Sequence, residues 1–260
     1  MFATAQPITL PSLPPVSLAA AGRPAAVDHA QQLDHIPETL QLLTQALAPQ
    51  KRLVRAGDVI YRAGDAFEHL YILNSGLMKI VKLTTDGREQ VVGLKFRGDW
   101  LGFDGIARRA YGCDAIAMDT GEVWMIRYDA LLKASATRPE LMAALHEAMS
   151  REITRDRESL MSVCTLPADA RVADFLHYWA DSLGKRGMRT DQITLRMTRA
   201  EIGNYLGLTL ESVSRALSRL VREDVIAFVE KGRRDVRIPD LAGLAAFVER
   251  IVSPQPVTLQ

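Results

Sequence analysis

The hydrophobic positions change their period three times along the chain. From about Ile36 to Asp129 they form short alternating runs punctuated by Ala56-Gly57-Asp58, Ala63-Gly64-Asp65, Asn74-Ser75-Gly76, Thr85-Asp86-Gly87 and Arg97-Gly98-Asp99. Turn signals spaced about 7 to 12 residues apart predict an antiparallel sandwich or barrel. Asp86-Gly87 between Met78–Leu83 and Glu89–Leu94 predicts a hairpin, because Asp-Gly takes the tight turn that matches strand twist. From Pro139 to Thr165 the period becomes helical. Met142, Leu145, Met149, Ile153, Asp156, Leu160 and Val163 recur at three- and four-residue spacing, the seam of a two-stranded coiled coil and hence of a homodimer. The other reading of this stripe is an amphipathic helix packed on its own β-domain. Asp156 interrupts the stripe where two like charges would meet across a symmetric seam, which makes dimerisation tunable.

The third change falls in Met197–Asp224, MTRAEIGNYLGLTLESVSRALSRLVRED. Ile202, Tyr205 and Leu206 share one face of a first helix, and Thr198 precedes Glu201 at the capping-box spacing. Gly207 ends that helix, since glycine takes the left-handed conformation cheaply, and Thr209 caps a second. Val213, Leu217, Leu220 and Val221 form the second helix's apolar stripe and leave Glu211, Ser214, Arg215, Ser218 and Arg219 outside. Two short helices around a tight corner, the second with a hydrogen-bonding face, form a helix-turn-helix that reads DNA in the major groove. Arg215 matches guanine O6 and N7, Glu211 the cytosine amine, and Ser214 several base edges. A bland alternative makes Glu211 and Arg215 only a surface ion pair. Val225–Pro239 then reads as a β-hairpin wing, with Lys231, Arg233, Arg234 and Arg237 at or near its tip. Thr198, Arg199, Thr209, Ser218 and Arg219, with Lys231, Arg233 and Arg234, are the expected contacts to the DNA backbone.

Charge supports this placement. The whole chain of 260 residues carries a net charge of only +1, yet Lys185–Arg237 holds twelve Lys/Arg against seven Asp/Glu. Basicity concentrates where a polyanion would lie. With 48% hydrophobic residues the chain has room for two domains, each with its own core. The proline- and alanine-rich start lacks the pattern of a signal peptide and reads as a disordered leader. No apolar run is long enough for a membrane span. Cys113 and Cys164 are too few for a disulfide framework or a four-thiolate metal site, so the expectation is a reduced, cytoplasmic protein. No Walker-type loop and no nucleophile with a base is found, so no enzyme is expected.

The order of these parts resembles the CRP/FNR family of bacterial transcription regulators. The likeness runs from about Leu33 to Ala246 and is carried by LGFDGIA (Leu101–Ala107) and MTRAEIGNYLGLTLESVSR (Met197–Arg215). It implies an α+β fold: a leader (1–32), a cyclic-nucleotide-binding-like β-roll sensor (33–136), a dimerisation helix (137–166), a winged helix-turn-helix (167–250) and a tail (251–260). It also implies that Glu211, Ser214 and Arg215 are the base-reading triplet for a TTGAT-N4-ATCAA palindrome in double-stranded DNA. By the same resemblance Thr85, Asp86, Gly87 and Arg88 form a surface touching RNA polymerase, and the regulated genes are anaerobic, redox or respiratory.

The departures from the family concern the signal. The stretch before Leu33 has no cysteine, and the β-domain position of the cluster ligand falls on Trp124, so no FNR-type iron–sulfur cluster is expected. The cyclic-nucleotide motifs fall on Gly102-Phe103 and Cys113-Asp114, which places an anion where a phosphate needs a cation, so cAMP is not expected. No other cofactor is implied. A thiol switch at Cys113 or Cys164, a haem on one of five scattered histidines and control by protein level stay open. The rival to DNA reading is a ligand-binding signalling module that acts through a protein partner.

Overall fold

A computed structural model describes residues 30–229 and 234–253 of the chain. The expected leader therefore lies almost wholly outside the described residues, as do Lys231 and Arg233 of the wing and most of the tail.

The described chain opens with a helix, α1 (Ala30–Leu47), where the sequence reading began β-structure near Ile36 and placed a boundary at residue 33. The start of β-structure is corrected: Leu40 and Leu43 lie on one helical face and are buried against the β-domain. Pro37 inside the helix interrupts the local signal, because proline lacks the N–H that continues the ladder. The β-domain follows as predicted. Its strands are β1 (Gln50–Val54), β2 (Val59–Tyr61), β3 (His69–Ser75), β4 (Met78–Leu83), β5 (Glu89–Lys95), β6 (Trp100–Leu101), β7 (Asp114–Ala117) and β8 (Gly121–Arg127), with the short helix α2 (Gly105–Arg108) between β6 and β7. They form two antiparallel four-stranded sheets, ordered β1-β8-β3-β6 and β2-β7-β4-β5. The glycines of all five turn signals have φ between +81° and +92°, the region in which a side chain is strained.

Helix α3 (Tyr128–Ser135) leads into α4 (Glu140–Thr165), the long helix expected from the stripe. Both readings of that stripe hold for part of it. Leu141, Leu145 and Ala148 are buried in the β-domain core, and Met142 and Met149 pack partly against it. Leu145 is thus corrected from a seam residue to a core residue of its own domain. Beyond this point the helix leaves the sandwich, and Ile153 and Leu160 are 48% and 63% exposed. Asp156 is exposed beside them and Val163 is half-buried. The unpartnered part of the stripe is therefore its C-terminal half.

The last module comprises α5 (Ala168–Gly184), β9 (Gln192–Thr194), α6 (Arg199–Leu206), α7 (Leu210–Arg222), β10 (Ala227–Phe228), β11 (Asp235–Arg237) and α8 (Leu241–Val252), which runs past the expected boundary at 250. β10 and β11 pair as the wing hairpin, and β9 adds a third strand through Val236↔Ile193. The two modules do not keep fully separate cores. Val81, Val91 and Leu94 of the β2-β7-β4-β5 sheet, and Phe96 just after β5, are buried in one cluster with Phe175, Trp179, Ile202 and Leu206. Phe96 meets Trp179 edge to face at 5.7 Å between centroids. No helix among the described residues is long and apolar enough to cross a membrane.

Candidate nucleic-acid interface

The reading head is fixed at its corners by local chemistry. Thr198 Oγ1 accepts from Glu201 N–H at 3.1 Å and Glu201 Oε2 accepts from Thr198 N–H at 2.8 Å, the reciprocal capping box predicted from spacing. Gly207 takes φ 64° and ψ 39° at the end of α6, and Thr209 Oγ1 accepts from Ser212 N–H at 3.1 Å to start α7. A second glycine, not singled out in the sequence, lets the corner close: a Cβ on Gly203 would stand 2.7 Å from Leu208 O. At its far end α7 closes with a Schellman arrangement, Val225 N–H to Leu220 O and Asp224 N–H to Val221 O. Asp224 sits there at φ 53°, a position usually given to glycine.

Between these caps, Val213, Ala216, Leu217 and Leu220 are buried, so the opposite face of α7 is fixed outward. Glu211 and Arg215 are exposed and Ser214 is half-buried on the same helix. Hydrogen bonds to its own backbone N–H and to the Thr209 hydroxyl hold the Glu211 carboxyl below its ordinary range, so it remains an acceptor. Arg215 Nη2 donates to Ser212 Oγ at 3.4 Å, and the residue is exposed. Ser212, Ser214, Arg215, Ser218 and Arg222 converge on one open groove with Ala168 and Asp169 at the start of α5.

Of the expected backbone contacts, Ser218 is exposed, although its hydroxyl donates to Ser214 O at 2.8 Å. Thr198 and Thr209 lie at the two helix starts, where backbone N–H groups favour a phosphate. Arg199 stacks on Phe228 of the wing at 5.6 Å. Arg234 is exposed just before β11, while Lys231 and Arg233 lie outside the described residues. Arg219 lines that groove too, and its guanidinium also bridges Asp169 at 2.6 Å and Glu223 at 2.8 Å, tying α7 to α5. Arg222, exposed in the last turn of α7, is the cation on this groove that the sequence reading missed.

The sensor grips the first helix of the head. Asn204 Oδ1 accepts from Val91 N–H at 2.6 Å, and Asn204 Nδ2 donates to Glu89 O at 2.8 Å. The side-chain amide thus pairs with β5 at the sheet edge as a peptide group of a fifth strand in that sheet would. Gln90 Nε2 returns a bond to Asn204 O. Lys79 Nζ meets Glu201 Oε1 at 2.6 Å, so one carboxylate serves both the α6 cap and the sensor. Burial alone would raise the Glu201 pKa, but the bonds from Lys79 and Thr198 hold it below its ordinary value.

Residues 170–247 match the Crp-like helix-turn-helix domain and residues 51–138 the cyclic nucleotide-binding domain. The chain is 33% identical to electron transport regulator A of Shewanella oneidensis over 198 residues, 76% of each chain. It is also 33% identical to transcriptional activator protein FnrA of Stutzerimonas stutzeri, over 75% of this chain and 79% of that one. The chain belongs to the CRP/FNR family of transcription regulators. The FixK2 structure from Bradyrhizobium japonicum superposes with a TM-score of 0.67 at 26% identity, covering 76% of this chain and 96% of that one. These CRP/FNR relatives are regulators rather than enzymes.

Against the CRP/FNR pattern, the sensor positions have their own chemistry. Trp124 is buried in β8 and its indole N–H donates to Glu122 Oε1 at 2.6 Å. Cys113 is half-buried, and burial first, then the Asp104 carboxylate, pushes its thiol pKa up. Asp104 accepts from Gly112 N–H at 2.8 Å and Asp114 from Ala63 N–H at 2.7 Å, so two carboxylates bracket that turn. Tyr61 and Tyr111 stack beside it at 4.0 Å. Cys164 is exposed near the end of α4. Among the described residues no group of three or more His, Cys, Asp or Glu is placed to hold a metal ion. The hairpin of Thr85, Asp86, Gly87 and Arg88 is exposed, with Arg88 paired to Asp86 at 2.7 Å.

Proposed function

We propose that this CRP/FNR regulator binds a TTGAT-N4-ATCAA palindrome as a homodimer through Glu211, Ser214 and Arg215 of each chain. The observation that carries the reading is the exposed polar face of α7, presented by a doubly capped corner and anchored by four buried apolar residues. Two such helices related by a two-fold axis enter major grooves about 34 Å apart. The C-terminal half of the α4 stripe, with Ile153 and Leu160 exposed, is the surface that pairs the chains. Asp156 beside it sets a brake on that pairing through like-charge repulsion. Thr85–Arg88 is the exposed turn offered to RNA polymerase. The regulated genes are those of anaerobic, redox or respiratory metabolism and the protein acts in the cytoplasm, a reading supported by the likeness to an electron transport regulator and an anaerobic regulatory protein.

On this reading the protein works without an FNR-type cluster and without cAMP. Two thiols on separate elements and a hydrogen-bonded tryptophan do not make a four-thiolate donor set. Asp104 and Asp114 beside Cys113 oppose a cyclic phosphate, and the raised thiol pKa argues against Cys113 as a switch. The test is fluorescence anisotropy with the palindromic duplex and a scrambled one at several salt concentrations. Preference for the palindrome, with affinity falling steeply as salt rises, is expected. Equal, salt-insensitive binding of both duplexes would favour action through a protein partner instead.

A further inference from the structure

The groove beside the reading face carries more positive charge than the base-reading triplet uses. Arg215, Arg219 and Arg222 line it with a single carboxylate, Asp169. Arg219 takes that carboxylate at 2.6 Å and is also bonded to Glu223 at 2.8 Å. Arg215 has the Glu211 carboxylate as its neighbour one helical turn away. Arg222 has neither. It is exposed in the last turn of α7 and makes no hydrogen bond or ion pair with any described residue.

Its place in the fold decides which part of a duplex it meets. Arg215, Ser218 and Arg222 follow one another at three- and four-residue spacing and share one face of α7. Arg222 stands about 16 Å beyond Glu211 along the helix axis. Base edges are read by the first residues of such a helix, so a side chain that far along meets the backbone. The other wall of the groove is the start of α5, at Ala168 and Asp169. Ala168 comes three residues after Thr165, the end of α4, so their Cα atoms are at most about 11 Å apart. The exposed seam occupies the C-terminal half of α4, so in a dimer the groove lies on the side of each reading head that faces the two-fold axis. The DNA at that axis is the spacer between the half-sites. No large apolar side chain lines the groove, so it offers a protein surface little to bury.

We propose that Arg222 of each chain grips the sugar–phosphate backbone of the central spacer, which the base-reading triplet does not touch. The inference rests on the palindrome reading above and extends it inward. A guanidinium presents parallel donors that match phosphate oxygens, and each such contact releases condensed counterions. Arg222 thus adds affinity whatever the spacer sequence and ties each α7 helix to the DNA on its inner side.

The experiment measures binding of the full-length chain, as wild type, Arg222→Gln and Arg222→Lys, to four duplexes. These are the TTGAT-N4-ATCAA palindrome, the same with neutral methylphosphonates in place of the spacer phosphates, the same with as many methylphosphonates outside the half-sites, and a scrambled duplex. Wild type is expected to bind about tenfold more weakly when the spacer is neutralised and to change little when the flanks are. Arg222→Gln is expected to bind the unmodified palindrome about tenfold more weakly and to be indifferent to neutralisation of the spacer. Its slope of log affinity against log salt should be shallower by about 2 for the dimer, and Arg222→Lys, which keeps the cation, should restore it. Melting temperatures of both variants should match wild type, since the side chain is exposed. A wild-type slope in Arg222→Gln, or full sensitivity of that variant to the spacer, overturns the spacer contact and leaves the palindrome reading standing. Greater sensitivity of wild type to the flanking methylphosphonates also overturns it, by moving the contact outside the half-sites. Equal binding of palindrome and scrambled duplex by wild type overturns the reading itself, and the spacer contact with it.

Discussion

Asn204→Ala tests whether the sensor and the reading head are physically joined. Asn204 sits on the first helix of the helix-turn-helix, and its amide makes two bonds to the open edge of β5, to Val91 N–H at 2.6 Å and to Glu89 O at 2.8 Å. Each bond is worth about 1 kcal/mol net in a folded protein. The alanine also strands Val91 N–H in a residue only 5% exposed, which adds about 1–2 kcal/mol of unrecovered desolvation. Glu89 is exposed, so water replaces the bond to its carbonyl. The expected loss is about 2–4 kcal/mol, or roughly 5–10 °C in melting temperature for a chain of this size. Asn204→Asp keeps the acceptor for Val91 and loses the donor to Glu89, so it should fall between alanine and wild type. Urea unfolding gives the size of the effect, and hydrogen exchange at the Val91 amide gives its place. A wild-type midpoint with Val91 still protected in Asn204→Ala would refute the argument that this side chain extends the sheet edge.

Asp99 gives a pH prediction. Burial would raise its pKa, but Arg186, Arg155 and Lys95 hold it below the ordinary value, so its contribution is complete above about pH 4 and is lost as pH falls through the depressed folded value. Asp99→Asn should cost about 3 kcal/mol near neutrality, by leaving the largely buried Arg186 unpaired, and should flatten the acid limb of urea midpoints measured from pH 2 to 7. A parallel downward shift at every pH would contradict it. Asp224→Gly should raise the melting temperature slightly, by about 0.5 kcal/mol of stability, since the residue sits at φ 53°; a lower melting temperature would show that its side chain has another role. Asp156→Ala should tighten the dimer in sedimentation velocity, and unchanged association would remove Asp156 from the seam.

How much could be read from the chain follows the range of the interactions. The β-domain turns were legible because each needed a glycine at positive φ with Asp or Asn nearby, and α6 and α7 because Thr198, Glu201, Gly207 and Thr209 act within a few residues of one another. Helix α1 was missed because Pro37 interrupts it, and β9 because three residues carry almost no period. The α4 stripe was read as one seam, yet spacing alone does not tell Leu145, facing its own sandwich, from Ile153, facing out. The Arg219–Asp169 bridge was not legible because its partners lie 50 residues apart. The docking of Phe96 on Trp179 and of Asn204 on β5 left no trace, since each joins elements about 80 or more residues apart.

The most direct test of the central claim compares wild type with Arg215→Ala on the TTGAT-N4-ATCAA duplex, on a series changed at one base pair per half-site, and on scrambled DNA, all at one salt concentration. The account predicts that the variant loses about 1–3 kcal/mol per half-site on the palindrome, discriminates less at a single base pair, and binds scrambled DNA almost as wild type does. Arg234→Ala, at the wing, should weaken all duplexes alike. Equal losses for Arg215→Ala on the palindrome and on scrambled DNA would contradict the assignment of α7 as the helix that reads the sequence.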